Sequence, residues 1–259
     1  MQDHEARRCQ HAQRALEIGH QLPPDAVISH ESAAILLGWP TYDVPAAVRV
    51  TRLRGNGFRT SDLHVHRATL RTRDRWVVDG IPISSAARTV VDLGRRLPFG
   101  AALVTADAAL RAGVRRSELQ EVLRHQWTWP RVRHAMSVVR HADGRSESAL
   151  ESFTRSRFIS LSLPLPDLQC NVVGQSGWVA RSDFLWKKYR VVGEADGKLK
   201  YLQDELWAEK QRQDDIEDAD YEVIRWIWRT AHASDTEFAR RLTRKLDRGL
   251  ALQRLRQAG

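Results

Sequence analysis

Apolar and polar positions along the chain follow two rhythms, a helical one and a strand-like one, and the exchanges between them mark out the elements. Residues 1–22 carry a helical pattern stopped by Pro23 and Pro24. A short apolar piece at 26–28 precedes a segment punctuated as a helix at both ends, with Ser29 as cap, an Ala33–Ala34–Leu36 interior, and Gly38 and Pro40 as stops. Residues 48–51 and 64–66 alternate like strands around the Gly-rich loop 54–57. Residues 76–83 predict a hairpin whose turn is Asp79–Gly80, since that dipeptide accepts the positive φ of tight hairpin turns. From Ser84 the pattern is helical again, over 84–93, 101–111 and 117–125. The run from Pro130 to Arg140 then leads into Asp143–Gly144, the expected linker.

Beyond it, residues 146–160 predict a helix with Glu147, Ser148 and Glu151 in its first turns, broken by Pro164 and Pro166. Strands follow at 168–174 and within 179–196, where two apolar runs flank the cationic turn Lys187–Lys188. A helix of alternating charge over 204–218, a strand at 221–228 and a basic amphipathic helix from Asp235 complete the chain. The order is helix, three strands, helix, strand, helix.

Composition narrows the class. The 259 residues suffice for one or two domains, and 42% apolar with 28% charged residues is the balance of a globular protein. No apolar run approaches the ~20 residues that span a bilayer, and the N-terminus lacks a signal peptide's apolar stretch. Cys9 and Cys170 are far apart, which argues against a disulfide framework and a Cys-type zinc site and for a reducing cytoplasm. The net charge of +9 permits contact with phosphates. It is uneven: the first 144 residues hold 21 Arg, no Lys and 14 acids, a balance of +7.

Candidate chemistry concentrates in 179–196. Side chains alternate along a strand, so Glu194 and Asp196 share a face, and a hairpin can bring Asp183 beside them. Carboxylates gathered at strand ends call for a cation, and an oxygen-only set suits Mg²⁺ or Mn²⁺ rather than zinc. His64 and His66 also share a strand face, but with no third ligand in the pattern they do not predict zinc. No phosphate-binding Gly-rich motif of the P-loop or dinucleotide type is present, so no nucleotide cofactor is expected.

Two resemblances extend this reading. Residues 26–30 and 32–34, Gly38–Trp39–Pro40, Ala87–Arg88–Thr89–Val90–Val91–Asp92–Leu93 and Ala106–Asp107–Ala108–Ala109–Leu110–Arg111 resemble AbiEi-type antitoxin-like proteins of actinobacteria. That family usually has a DNA-binding winged helix before a small mixed α/β domain, and the segment before Pro23 is short for one. Glu151–Ser152, residues 166–169, Arg181–Ser182–Asp183–Phe184, Val192–Gly193–Glu194–Ala195–Asp196–Gly197, Lys200–Tyr201, residues 209–215 and Val223–Ile224–Arg225–Trp226 resemble the PD-(D/E)XK nucleases, in their very-short-patch-repair-like branch.

Together the resemblances imply an α/β chain with an N-terminal helix at 1–22, an AbiEi-like α/β module at 23–143 and an endonuclease-like domain at 145–259. In the last, helices flank a four-stranded mixed sheet. Asp183, Glu194 and Asp196 would hold Mg²⁺ or Mn²⁺, and Glu151 and Lys198 would join them in catalysis. Asp196 stands where the wider superfamily often has lysine, a part that Lys198 or Lys210 would have to fill. Arg181, Lys200 and Arg212 would contact nucleic acid. The expected function is metal-dependent DNA cleavage in phage defence or repair. The alternative is an inactive antitoxin or regulator that binds DNA or a toxin partner.

Overall fold

The computed structural model describes residues 2–196 and 203–258. The chain divides into two compact units, Met1–Ala149 and Leu150–Gly259.

The first unit opens with helix α1 (Gln2–Gly19), strand β1 (Ala26–Ile28) and helix α2 (His30–Leu36). Strands β2 (Val48–Arg52), β3 (Phe58–Arg59), β4 (Leu63–Arg67), β5 (Arg75–Val78) and β6 (Ile81–Ser84) follow. Their sheet has the order β3-β4-β2-β1-β6-β5 and is mixed, with β1 parallel to β6 and β2 parallel to β4. The β5–β6 turn is the expected one: Asp79 and Gly80 take φ of +50° and +78°, the left-handed values that a two-residue hairpin needs.

Helices α3 (Ala86–Arg96), α4 (Phe99–Arg111), α5 (Arg116–His125) and α6 (Val132–His141) complete this unit. Packed against α2, α4, α5 and α6, α3 is buried along its whole length to Gly94, Arg88 and Asp92 included. Ser85 caps it by accepting from the Arg88 N–H at 3.4 Å.

Two boundaries differ from the expected ones. Helix α1 is no separate segment, because Ala15 lies at 0% exposure in one cluster with Ile28, Val50 and Ile81, where burial keeps it. Asp143–Gly144 is not a free linker either. The Asp143 N–H donates to Asp107 Oδ1 at 2.7 Å, Arg111 donates to the Ser146 carbonyl, and Gly144 lies against Leu110 and Arg111. These contacts tie 143–146 to α4 and delay the next helix.

That helix, α7 (Ala149–Ser160), leads into the second unit: β7 (Asp167–Val173), β8 (Val179–Trp186), β9 (Val191–Ala195), α8 (Gln203–Asp218), β10 (Glu222–Trp226), α9 (Trp228–Ala231) and α10 (Asp235–Ala258). The four strands form a mixed sheet of order β10-β9-β8-β7, antiparallel except for β9 beside β10. An aromatic core covers one face, where Phe158 of α7 meets the rings of Trp186 and Trp226 edge-on at 5.3 Å and Phe238 of α10 closes the layer. An aliphatic core of Val172, Ala180, Leu185, Val192 and Val223 meets Ile216 of α8 on the other. No described helix is long and apolar enough to cross a membrane.

Candidate active site

The two cores locate an irregularity in the β7–β8 pair. Leu168 and Phe184 belong to the aromatic core, while Val172 and Ala180, four residues away along each strand, belong to the aliphatic one. An even spacing keeps side chains on one face of a regular strand, so the pair exchanges its faces between these positions. At the exchange stand Gln169 and Asp183, between the Leu168–Phe184 and Cys170–Ser182 pairs. Gln169 has φ +52°, a left-handed backbone that costs a side-chain-bearing residue roughly 1–2 kcal/mol. Strain of this kind persists where the surroundings fix it, and it recurs at functional sites.

The Gln169 amide joins carboxylates from two elements. Its Nε2 donates to Glu151 Oε2 at 2.9 Å and to Asp183 Oδ1 at 3.3 Å. Glu151 comes from the first turn of α7 and is 5% exposed, and Asp183 is half-buried on β8. The other Asp183 oxygen, Oδ2, accepts from the Ala195 N–H at 2.7 Å, which fastens β8 to the end of β9 beside Glu194. Glu194 pairs with Arg225 at 3.1 Å, the residue directly across the parallel β9–β10 ladder. Gly193 makes room for this arrangement: a Cβ there would come within 2.9 Å of the Trp186 and Trp226 rings and 3.0 Å of Phe184 Cβ.

Of the residues singled out in the sequence, Glu151 and Asp183 therefore share one donor, and Glu194 is the chain neighbour of Ala195, whose N–H holds Asp183. Asp196 lies one residue past β9, half-buried, with its N–H donating to the Trp226 carbonyl at 2.8 Å. Arg181 is exposed on β8 opposite Asn171, and Arg212 is half-buried on α8. Lys198 and Lys200 lie outside the described residues. Among the described residues no group of three or more His, Cys, Asp or Glu is placed to hold a metal ion.

Two participants were not among the expected site residues. Gln169 carried a weak signal, a polar side chain in the strand before the acidic hairpin, but its role depends on a left-handed backbone that no periodicity encodes. Arg225 appeared only within the Val223–Trp226 resemblance, and its pairing with Glu194 follows from the β9–β10 register.

Comparison with known proteins places the chain in a family. It is 30% identical over 234 residues to the uncharacterized protein MT2308 of Mycobacterium tuberculosis strain CDC 1551 / Oshkosh, covering 86% of this chain and 82% of that one. The uncharacterized protein Rv2248 of strain ATCC 25618 / H37Rv matches with the same identity and coverage. The chain belongs to the family of these two mycobacterial proteins. No family model matches it, and no solved structure matches it significantly.

Proposed function

We propose that the second unit is a PD-(D/E)XK-type, very-short-patch-repair-like endonuclease domain that cleaves DNA with Mg²⁺ or Mn²⁺, following an AbiEi-like module. The observation that carries this reading is the convergence of Glu151 and Asp183 on one amide at a strained strand position. Two carboxylate oxygens that share a donor are no more than about 6 Å apart. Such a pair fits a small hard cation, because Mg²⁺ keeps most of its waters and takes only one or two carboxylates besides the substrate's phosphate.

Asp183 and Glu151 would hold the ion, with Glu194 at the rim and Asp196 beyond it. When bound, the ion would offset charge developing on the phosphate and acidify the attacking water. The protein's part is positioning. The Ala195 N–H fixes the Asp183 carboxyl by donating to it, and Gln169 ties Glu151 and Asp183 to one donor.

The test is nicking of supercoiled plasmid by the purified protein with and without Mg²⁺ or Mn²⁺, beside calorimetric titration of Mn²⁺. Asp183→Ala and Glu151→Ala should each abolish Mn²⁺ binding and lower cleavage by a factor on the order of 10³. Wild-type protein that neither binds Mn²⁺ nor cuts DNA would overturn the proposal. Two observations favour the second reading, a regulator or antitoxin without turnover that binds DNA or a toxin partner. Glu194 is engaged by Arg225, and an acid stands at 196 where a lysine would serve catalysis. DNA binding that survives both substitutions, in a protein that never cuts, supports that reading instead.

A further inference from the structure

The first unit contains a cleft of about 890 Å³ whose wall carries six guanidinium groups, those of Arg59, Arg67, Arg88, Arg95, Arg96 and Arg131. A single carboxylate, Asp92, lines it with them.

The six divide into two sets. Arg88, Arg95 and Arg96 are anchored. Arg88 is 1% exposed and donates to Asp92 Oδ2 at 2.6 Å, to Asp74 Oδ2 at 3.3 Å and to the Thr69 carbonyl at 2.8 Å. Arg95 reaches Asp92 at 3.4 Å, and Arg96 pairs with Glu31. The guanidinium carbons of Arg88 and Arg95 each lie 4.9 Å from the centroid of the Trp129 ring. This set is accounted for by its own internal contacts.

Arg59, Arg67 and Arg131 are not. None of them makes an ion pair among the described residues. Arg59 Nε meets His64 Nε2 at 2.8 Å, and Arg131 donates to the Arg96 carbonyl at 3.1 Å. Between the two sets the rings of His30, His66 and His64 form a row, with centroids 4.3 and 4.0 Å apart. Burial, then the charges of Arg49 and Arg59, hold His64 at about 4, and burial with His64 and the same arginines holds His66 at about 4. At neutral pH these imidazoles add hydrogen-bonding nitrogens and no charge.

A concave wall of six cations and one carboxylate concentrates positive potential, and three of its cations have no anionic partner among the described residues. The ligand that answers this is an anion. Its class follows from the side chains: every cation is an arginine, whose planar fork matches phosphate oxygens two at a time, and lysine is absent from the first 144 residues. The volume falls in the roughly 300–1,000 Å³ range of small-ligand sites, far more than one inorganic phosphate needs.

We propose that this cleft binds phosphate groups carried by a nucleic-acid strand or by a free nucleotide, with Arg59, Arg67 and Arg131 as contacting cations and Asp74–Arg88–Asp92 as a rigid floor. The proposal stands independently of the nuclease reading, since all its residues belong to the first unit.

The test is anisotropy of a short fluorescein-labelled single-stranded oligodeoxynucleotide titrated with the full-length protein in EDTA, with AMP and unlabelled strand as separate competitors. Arg67→Ala, and Arg131→Asn (asparagine tolerates the φ of +60° there), should each weaken binding roughly tenfold and reduce the salt slope by about 0.7. Arg67→Lys should keep the slope and recover only part of the affinity, which separates a lost contact from a damaged fold. Displacement of the label by AMP assigns the site to free nucleotides, and displacement by unlabelled strand alone assigns it to a strand; both support the proposal. It is overturned if the wild type binds no probe, or if the Arg67→Ala/Arg131→Asn double variant binds with unchanged affinity and slope. It is equally overturned if Asp183→Ala loses binding while the arginine variants keep it.

Discussion

Replacing Gln169 separates two effects that coincide in one residue. Its amide serves Glu151 at 2.9 Å and Asp183 at 3.3 Å, and its backbone sits at φ +52°. Gln169→Ala deletes the shared donor and keeps the left-handed strain, because alanine carries the same Cβ. A hydrogen bond to a charged, buried acceptor is worth roughly 1.5–3 kcal/mol, so a loss of about 2 kcal/mol is expected in the second unit. Gln169→Gly deletes the same donor but relieves about 1–2 kcal/mol of backbone strain, offset by about 0.4–1 kcal/mol from the looser unfolded chain. Glycine should therefore be the milder change, by up to about 1.6 kcal/mol. Urea titration of the full chain, read by hydrogen exchange of the β7–β9 amides, measures the second unit without interference from the first. If the carboxylates form a cation site, added Mg²⁺ should raise the stability of Gln169→Ala more than that of the wild type. A larger loss for Gly than for Ala would refute the strain argument. No loss above about 0.5 kcal/mol in either variant would refute the bridging role.

Three further predictions concern single positions or pairs. Gly193→Ala forces a methyl against two indole rings and should cost roughly 1–3 kcal/mol, seen as a lower urea midpoint and weakened near-ultraviolet circular dichroism. Asp74 is 1% exposed; burial raises its pKa, but the Arg71 hydrogen bonds and the Arg88 charge outweigh this and leave it below the ordinary value. Asp74→Asn leaves Arg88 short of one buried anion and should cost about 3 kcal/mol in the first unit, measurable by the same exchange experiment. His64 and His66, held at about 4, set a pH window. Between pH 6.5 and 4 the unfolded chain takes up protons that the folded one refuses, so stability falls with acid across that window and levels off below it. With solvent screening allowed for, the loss is on the order of 3 kcal/mol for the pair, and a His64→Gln/His66→Gln variant should show a flatter profile in urea midpoints from pH 7 to 4.

Features carried by neighbours in the chain were legible in the sequence. The Asp79–Gly80 turn, the strand rhythm of β7 to β9 and the helix before β10 all rest on rules that act over a few residues. The acids Asp183 and Glu194 stood out for the same reason, since charge in a strand is locally anomalous, whereas Glu151, in a first helical turn where acids are ordinary, came only with the resemblance. What escaped depends on distant partners. The stop at Asp143–Gly144 looked like a linker because glycine there signals a break, yet Asp107 and Arg111, over thirty residues upstream, hold it down. The role of Gln169 escaped because alternation assumes a strand whose faces stay constant. The arginine cleft collects residues from β3, β4, α3 and the start of α6, and only the count of arginine without lysine hinted at it.

That imbalance has a practical consequence for chemical probing. The first unit contains no ammonium side chain, so acylating reagents, amine crosslinkers and lysine-specific proteases have their side-chain targets in the second unit alone, starting at Lys187. Dicarbonyl reagents such as phenylglyoxal attack guanidinium and would report the cleft. The side-chain amine footprint thus reports the second unit alone, and protection from phenylglyoxal at Arg67 by an added nucleotide can be read beside an unchanged amine footprint as its internal control.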